Sequence, residues 1–230
     1  MYFKLSNTAE MKVMESEANA LFKYPNLYTP QIVISGLSEV SIPILTMEDP
    51  NVISLSIWGL LPSNYTDDWE LFQNLTNTLN INSENLDSGL WYTKAFENRR
   101  CLIPVTGFYT SVLNDGQINP YYIGPEKENL IYLAGMYTVL EDGFITCTIL
   151  TGPLDDYLGM YQNLVNFMPL IINPKHKDLW LSGETSVIEA KRLLKSSHNV
   201  ALQAKPIEKA LFNQDISYDS MLMPFDSTEN

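Results

Sequence analysis

Five short segments with the composition of β-strands follow one another between residues 101 and 151, with little room for helices between them. They read CLIPV, GFYTSVL, INPYYIG, LIYLAGMY and FITCTILT. Asn114-Asp115-Gly116 and Glu141-Asp142-Gly143 lie between consecutive segments and are typical of hairpin turns. Strands that are joined by tight turns run antiparallel, so this part of the chain is not a βαβ series.

A helix and a further strand are predicted before this region. Asn7 as N-cap and Glu10 three residues later predict a first helix over residues 8–22. Residues 52–58 alternate apolar residues with serine, which is typical of a half-buried strand. The stretch between them is expected to be rich in loops because it contains Pro25, Pro30 and Pro43.

Three more helices complete the prediction. Asp67 or Asp68 is expected to cap a short helix with an inward apolar face. The residues of that face are Trp69, Phe72 and Leu75. Asn173-Pro174 begins a helix that reaches Trp180, and a last helix covers residues 185–196.

This order of elements predicts an α+β fold with a mixed, mainly antiparallel β-sheet or barrel core, surrounded by short helices. We expect one domain at residues 1–216, because no repeat or linker interrupts the chain. The polar, acidic stretch 217–230 is predicted to be a flexible tail.

Composition restricts partners and location. The net charge of −13 repels phosphates, which disfavours non-specific nucleic-acid binding. Cys101 and Cys147 lie in apolar runs and are predicted to be buried strand thiols, not a disulfide framework. No leader or membrane-length apolar stretch is present, so we expect a cytoplasmic protein without a membrane partner.

The common motifs for nucleotide, metal and nucleophile sites are absent from the sequence. There is no GxGxxG, GxxxxGK[ST], GxSxG, HExxH or CxxC. The two histidines, His176 and His198, fall on separate predicted helices. The sequence therefore predicts no cofactor and no metal site.

Three segments, read together, carry a resemblance to a known family. They are IWGLLP at 57–62, RRCLIPVTGFY at 99–109 and FMPLII at 167–172. Their order and spacing resemble the SRAP family, the SOS response-associated peptidases that process abasic sites in DNA. PYYI at 120–123, AGMY at 134–137 and WL at 180–181 match further family segments.

The resemblance implies a catalytic set that this chain has largely lost. The family's N-terminal cysteine, whose amine and thiol capture the abasic aldehyde, corresponds to Tyr2. Its asparagine is kept as Asn80, whereas its acid–base glutamate becomes Thr110. Its histidine falls on Gln162, or on Val165 with the shorter spacing found in the family. Neither replacement titrates near pH 7.

The resemblance also implies a changed DNA-binding cleft. Family arginines become Lys4, Asn82 and Phe167, and a family tryptophan becomes Asn64. Glu84 closes the segment that matches the family's NARAE motif. Single-stranded DNA, the ligand implied by the family, is therefore disfavoured, and the residues identify no other partner.

Three functions follow from this pattern. The favoured one is a catalytically inactive SRAP protein with a binding or interaction role. One alternative is an enzyme that still cross-links abasic DNA through another nucleophile, for which Lys4 is the candidate. The other alternative is a small-molecule or peptide binder that uses the old cleft, made more apolar by Tyr2, Val165 and Phe167.

Overall fold

The computed structural model describes residues 3–195 and 200–212. Tyr2, His198 and the expected tail at 217–230 lie outside the described residues. The strands are β1 Lys4–Asn7, β2 Leu21–Phe22, β3 Gln31–Ser35, β4 Ser41–Thr46, β5 Val52–Trp58, β6 Asn80–Asn82, β7 Arg100–Val105, β8 Gly107–Asn114, β9 Gln117–Pro125, β10 Ile131–Val139, β11 Ile145–Pro153, β12 Phe167–Pro169 and β13 Leu202–Pro206.

The helices are short and lie outside the strand-rich middle of the chain. They are α1 Met11–Ala18, α2 Trp69–Leu75, α3 Thr93–Asn98, α4 Asp156–Gly159, α5 Lys177–Leu181, α6 Val187–Lys195 and α7 Lys209–Phe212. Single 3-10 turns cover Pro25–Leu27, Ser83–Asp87 and Pro174–His176.

Two sheets form the core of the fold. The smaller sheet has the strand order β13-β9-β8-β1-β3 and is antiparallel throughout. The larger sheet runs β12-β11-β10-β7-β4-β5-β2, and β6 adds to it beside β11. A parallel pairing between β5 and β11 closes the sequence β5-β4-β7-β10-β11 into a ring. The α+β prediction with a mainly antiparallel barrel core is confirmed.

Apolar side chains fill both faces of the larger sheet. Between the two sheets, Leu5 and Phe108 of the smaller sheet share a cluster with Ile44 and Ile103 of the larger one. On the other face of the larger sheet, helices α1, α3, α5 and α6 bury a second cluster. A small third cluster, with Tyr109 and Phe212, lies where α7 covers the outer face of the smaller sheet.

Several elements were predicted correctly from short sequence motifs. Asp115 and Gly116 have φ values of 49° and 73° between the paired residues Asn114 and Gln117, the geometry of a two-residue hairpin loop. The Asp68 side chain accepts hydrogen bonds from the Glu70 and Leu71 N–H groups, which confirms it as the N-cap of α2.

Other predicted elements were wrong. The helix predicted at 8–22 covers only Met11–Ala18, because Asn19 adopts a left-handed conformation (φ 53°) and ends it. Asn7 is not its cap but a residue of β1, whose side chain donates to the Pro104 carbonyl over 3.1 Å. Leu75 does not face inward, since it is 79% exposed in the last turn of α2.

The stretch expected to be rich in loops contains two strands, β3 and β4. Pro43 lies within β4, a position that proline usually avoids in a sheet. It is tolerated because β4 pairs with β7 only at Leu45 and Thr46, so that the earlier part of β4 has an unpaired edge on that side.

Candidate functional site

Three of the positions matched to the family's site meet where the segment after α4 packs on β8. The Thr110 hydroxyl donates to the Tyr161 carbonyl over 2.9 Å. The Gln162 amide donates to the Phe167 carbonyl over 2.7 Å and to the Val165 carbonyl over 3.1 Å. Thr110 and Gln162 are each only 4% exposed. Thr110, Gln162 and Phe167 therefore form one connected group, in which Thr110 and Gln162 are buried and Phe167 is half-buried.

The same segment is fixed to β8 by a second contact. The Asn163 side chain accepts from the Leu113 N–H and donates to the Leu113 carbonyl, each over 2.8 Å. The Tyr161 ring packs against Tyr121 and Tyr157, with centroids 5.2 and 5.4 Å away. These contacts hold residues 161–163 in one position against the strand that carries Thr110.

This arrangement limits the chemistry available at Thr110 and Gln162. A threonine hydroxyl and a glutamine amide do not exchange protons near pH 7, so neither is a general acid or base. Both are engaged with backbone carbonyls, which fixes their orientation. The group can position the backbone or bind a polar ligand, but it cannot carry out acid–base catalysis.

Lys4 lies on the opposite face of the smaller sheet from Thr110. Leu5 of β1 is paired with Phe108 of β8, and both face the core between the sheets. Because side chains alternate along a strand, Lys4 points the other way, whereas Thr110 shares the face of Phe108. Lys4 is 2% exposed, its ammonium donates to the Phe212 carbonyl, and it lies 4.9 Å from the centre of the Phe212 ring.

Asn80 and Asn82 both lie on β6, beside the strand β11. Asn80 is paired with Ile149 and Asn82 with Thr151, while β12 pairs with the same part of β11 from its other side. Phe167 is thereby paired with Pro153, close to Asn82 across β11. The Asn82 side chain accepts from the Glu84 N–H over 2.9 Å and so begins the 3-10 turn Ser83–Asp87.

Glu84 borders a separate cavity of about 320 Å³ between this turn and α6. Three of its lining residues are apolar: Pro153, Leu170 and Leu194. The others are Ser83, Glu84, Lys191 and Lys195. Lys191 already forms an ion pair with Asp87, the last residue of the same 3-10 turn. None of Thr110, Gln162 and Lys4 lines this cavity.

Asn64 is also separated from the other matched positions. It lines a cavity of about 460 Å³ together with Thr138 at the end of β10. Thr138 is paired with Thr146, five residues along β11 from Thr151, the partner of Asn82. At about 3.3 Å per residue, these two places on β11 are about 16 Å apart.

The structure shows two features that the sequence did not single out. Arg100, read as part of a scaffold motif, is fully buried and donates to backbone carbonyls of two helix ends. Trp91, Lys94 and Asn98 line the Asn64 cavity together. Their spacing of three and four residues, typical of one helix face, is the signal that identifies them in the sequence.

The thiols are inert in this fold. Cys101 and Cys147 are free and fully buried, as predicted. Burial raises the pKa of the Cys147 thiol to about 12 and that of Cys101 well above its ordinary value. Within residues 3–195 and 200–212, no group of three His, Cys, Asp or Glu side chains is placed to hold a metal ion.

None of the helices formed by the described residues has the length and apolar character needed to cross a membrane.

Comparisons with known proteins agree with this architecture. The yeast (Saccharomyces cerevisiae) abasic site processing protein YMR114C is 28% identical over 152 residues, which cover 64% of this chain. The matched region is 39% of that relative, so the chain spans about two fifths of its length. A crystal structure of a Bacteroides thetaiotaomicron protein superposes with a TM-score of 0.79 at 20% identity, covering 93% of this chain and 95% of the other.

A second solved structure, of a Bordetella bronchiseptica protein, gives a TM-score of 0.71 at 17% identity over 90% of this chain and 99% of the other. At these identities the two structures show the shared fold. The model of the SOS response associated peptidase (SRAP) family matches residues 4–214. The chain therefore belongs to the SRAP family.

Proposed function

We propose that this chain is a catalytically inactive member of the SRAP family, in which the scaffold serves binding instead of covalent capture of abasic DNA. The observation that carries the proposal is the bonding of Thr110 and Gln162. At the two positions matched to the family's acid–base pair, buried side chains that do not titrate are held by the carbonyls of Tyr161 and Phe167.

Covalent capture of an aldehyde needs a nucleophile and proton transfer at adjacent atoms. Tyr2, at the position of the family's cysteine, has no thiol. Cys101 and Cys147 do not replace it, because both are fully buried and their pKa values are raised by burial. This combination supports loss of the reaction for which the yeast relative is named.

The placement of Lys4 speaks against an enzyme with a substitute nucleophile. A Schiff base requires a lysine amine that a DNA aldehyde can reach. The Lys4 amine is covered by Phe212 and points away from Thr110 and Gln162. Lys4 is therefore assigned a structural role that joins the first strand to α7.

A covalent-trapping assay tests the proposal. The full chain is incubated with single-stranded DNA that carries one abasic site, and the mixture is separated on a denaturing gel without reductant. We expect no shifted band, beside a clear band from a family member that keeps the N-terminal cysteine. A shifted band from this chain would contradict the proposal, and peptide mapping would then identify the attached residue.

A restoration experiment separates lost chemistry from lost DNA binding. The variant Tyr2→Cys, Thr110→Glu, Gln162→His puts the family's residue types back at their matched positions. Cross-linking by this triple variant, but not by the single variant Tyr2→Cys, is the result expected if the acid–base positions matter. Equal cross-linking by both variants would show that Thr110 and Gln162 are not the reason for inactivity.

A further inference from the structure

The cavity lined by Asn64 is built mainly on α3 and the turn before it. Lys94, Ala95 and Asn98 lie on one face of α3, and Trp91, two residues before the helix begins at Thr93, lines the cavity beside them. Residues 62–64, in the loop after β5, also line it. We call this space of about 460 Å³ the Trp91 cavity; its lining residues are Pro62, Ser63, Asn64, Trp91, Lys94, Ala95, Asn98, Arg99 and Thr138.

The indole of Trp91 is held in place but left open to the solvent. Its edge-on contacts with Phe72 and Tyr92 have centroid distances of 6.2 and 5.5 Å. Trp91 is nevertheless 41% exposed, whereas Trp58, Trp69 and Trp180 are at most 6% exposed. An exposed aromatic ring that is already oriented is a suitable platform for another flat ring.

Two cations share the cavity with this ring. Arg99 and Arg100 are neighbours in sequence, yet the Arg100 guanidinium is fully buried against backbone carbonyls while Arg99 lines the cavity. No carboxylate lines the cavity, and neither Arg99 nor Lys94 forms an ion pair within the described parts of the chain. In a chain of net charge −13, this places two positive charges in a cavity that no carboxylate lines, although Glu141 lies next to it, its N–H bonded to the Ser63 carbonyl.

The remaining polar groups offer hydrogen bonds. The Asn64 side-chain amide makes no hydrogen bond within the described residues, and Ser63 stands beside it. Asn98 bonds only loosely to the Lys94 carbonyl, over 3.4 Å. Amide groups of this kind present both donors and acceptors, as the edge of a nucleobase does.

We propose that the Trp91 cavity binds a free mononucleotide, with the base stacked on Trp91 and the phosphate between Lys94 and Arg99. A flat ring, two cations that form no ion pair with the described residues, and side-chain amides match the base, the phosphate and the base edge of such a ligand. The volume lies within the range of about 300–1,000 Å³ that is usual for small-molecule sites. The cavity is distinct from the Thr110 and Gln162 group, so this inference does not depend on the loss of catalysis.

A base and a phosphate are also present in each nucleotide of a single-stranded nucleic acid. The total charge distinguishes such a strand from a free mononucleotide. A mononucleotide phosphate carries about two negative charges, which Lys94 and Arg99 balance. A longer strand adds a negative charge at every phosphate, which must approach a chain of net charge −13. The free mononucleotide is therefore the ligand to which we assign the site.

Tryptophan fluorescence reports binding at this cavity directly, because among the described residues Trp91 is the one tryptophan whose side chain is exposed to solvent. The full-length protein is titrated with adenosine and guanosine monophosphates and, separately, with a short single-stranded oligonucleotide, with excitation at the red edge of the indole band. We expect saturable quenching by a mononucleotide. Arg99→Gln and Lys94→Gln should each weaken it about tenfold, since each removes a charge-assisted hydrogen bond.

Lys12→Gln is the matched control, because Lys12 is an exposed lysine of α1 that does not line the cavity. It should leave the quenching curve unchanged. Trp91→Leu, measured by calorimetry because it removes the fluorescent group, should abolish binding. Absence of saturable mononucleotide binding, or equal weakening by Lys12→Gln, would overturn the proposal. Binding of the oligonucleotide alone would overturn it as well and reassign the cavity to strand binding.

Discussion

Replacing Arg100 by methionine should destabilise the protein strongly, although the substitution breaks no ion pair. The guanidinium donates to the carbonyls of Phe96 and Glu97 at the end of α3, over 3.2 and 3.0 Å. It also donates to the carbonyls of Trp180 and Ser182 at the end of α5, over 2.9 and 2.8 Å. One fully buried side chain thus caps the C-terminal ends of two helices and holds them against β7.

The expected loss can be worked from these bonds. Each carbonyl left without its donor costs about 1 kcal/mol; four of these bonds are short, two of them buried and two part-buried, and a longer fifth one reaches the Thr185 carbonyl. Removing the cation also removes the cost of its desolvation, which lowers the pKa of Arg100 but leaves it charged at neutral pH. We therefore expect the free energy of unfolding to fall by about 3–4 kcal/mol.

Urea unfolding monitored by circular dichroism measures this change, and the neighbouring arginine supplies the control. Arg99→Met removes the same group from an adjacent, partly exposed position and should cost less than about 0.5 kcal/mol. Arg100→Lys keeps the charge but loses the fork that reaches both helix ends, so it should recover less than half of the loss. A loss below about 1 kcal/mol for Arg100→Met would refute the assigned role.

Two further predictions concern stability. Burial raises the pKa of Cys147 from about 9 to about 12, so as the pH rises its thiol ionises in the unfolded chain before it ionises in the folded one. The contribution of the neutral thiol to the free energy of unfolding is therefore complete below pH 9 and is lost as the pH rises to about 12. Urea unfolding at a series of pH values should show this decline, and Cys147→Ala should make it shallower; parallel pH profiles would contradict it. Gly107→Ala should lower stability by about 2–3 kcal/mol in thermal or urea unfolding, since the new Cβ would lie 2.3 Å from the Ile123 carbonyl oxygen. Gly183→Ala, with nothing within 4 Å, is its neutral control, and equal effects of the two changes would count against the packing argument.

The elements that the sequence predicted well are those set by local chemistry. The Asp115-Gly116 turn fixes the β8–β9 hairpin because both residues tolerate positive φ, and Asp68 caps α2 with its own side chain. The strand β4 was missed because the consequence of Pro43 depends on which neighbour lies beside it. That neighbour, β7, is more than fifty residues away in sequence and leaves the edge near Pro43 unpaired.

The candidate site was less predictable from sequence for a related reason. Matching to the family identified Thr110 and Gln162, but their common placement depends on the contact of Thr110 with the Tyr161 carbonyl, across 51 positions of the chain. The direction of Lys4 depends on the register of β1, where a shift by one residue would have turned it toward Thr110. Asn64 could be placed only after the pairing along β11 was known.

The contact between Lys4 and Phe212 joins residues 208 positions apart. During synthesis at roughly 5–20 residues per second, β1 therefore emerges roughly 10–40 seconds before the helix that covers it. Until then, the buried lysine and the tyrosine-rich outer face of the smaller sheet are open to water and to other chains. The outer face of the smaller sheet is therefore closed only when α7 packs on it, long after β1 has been made.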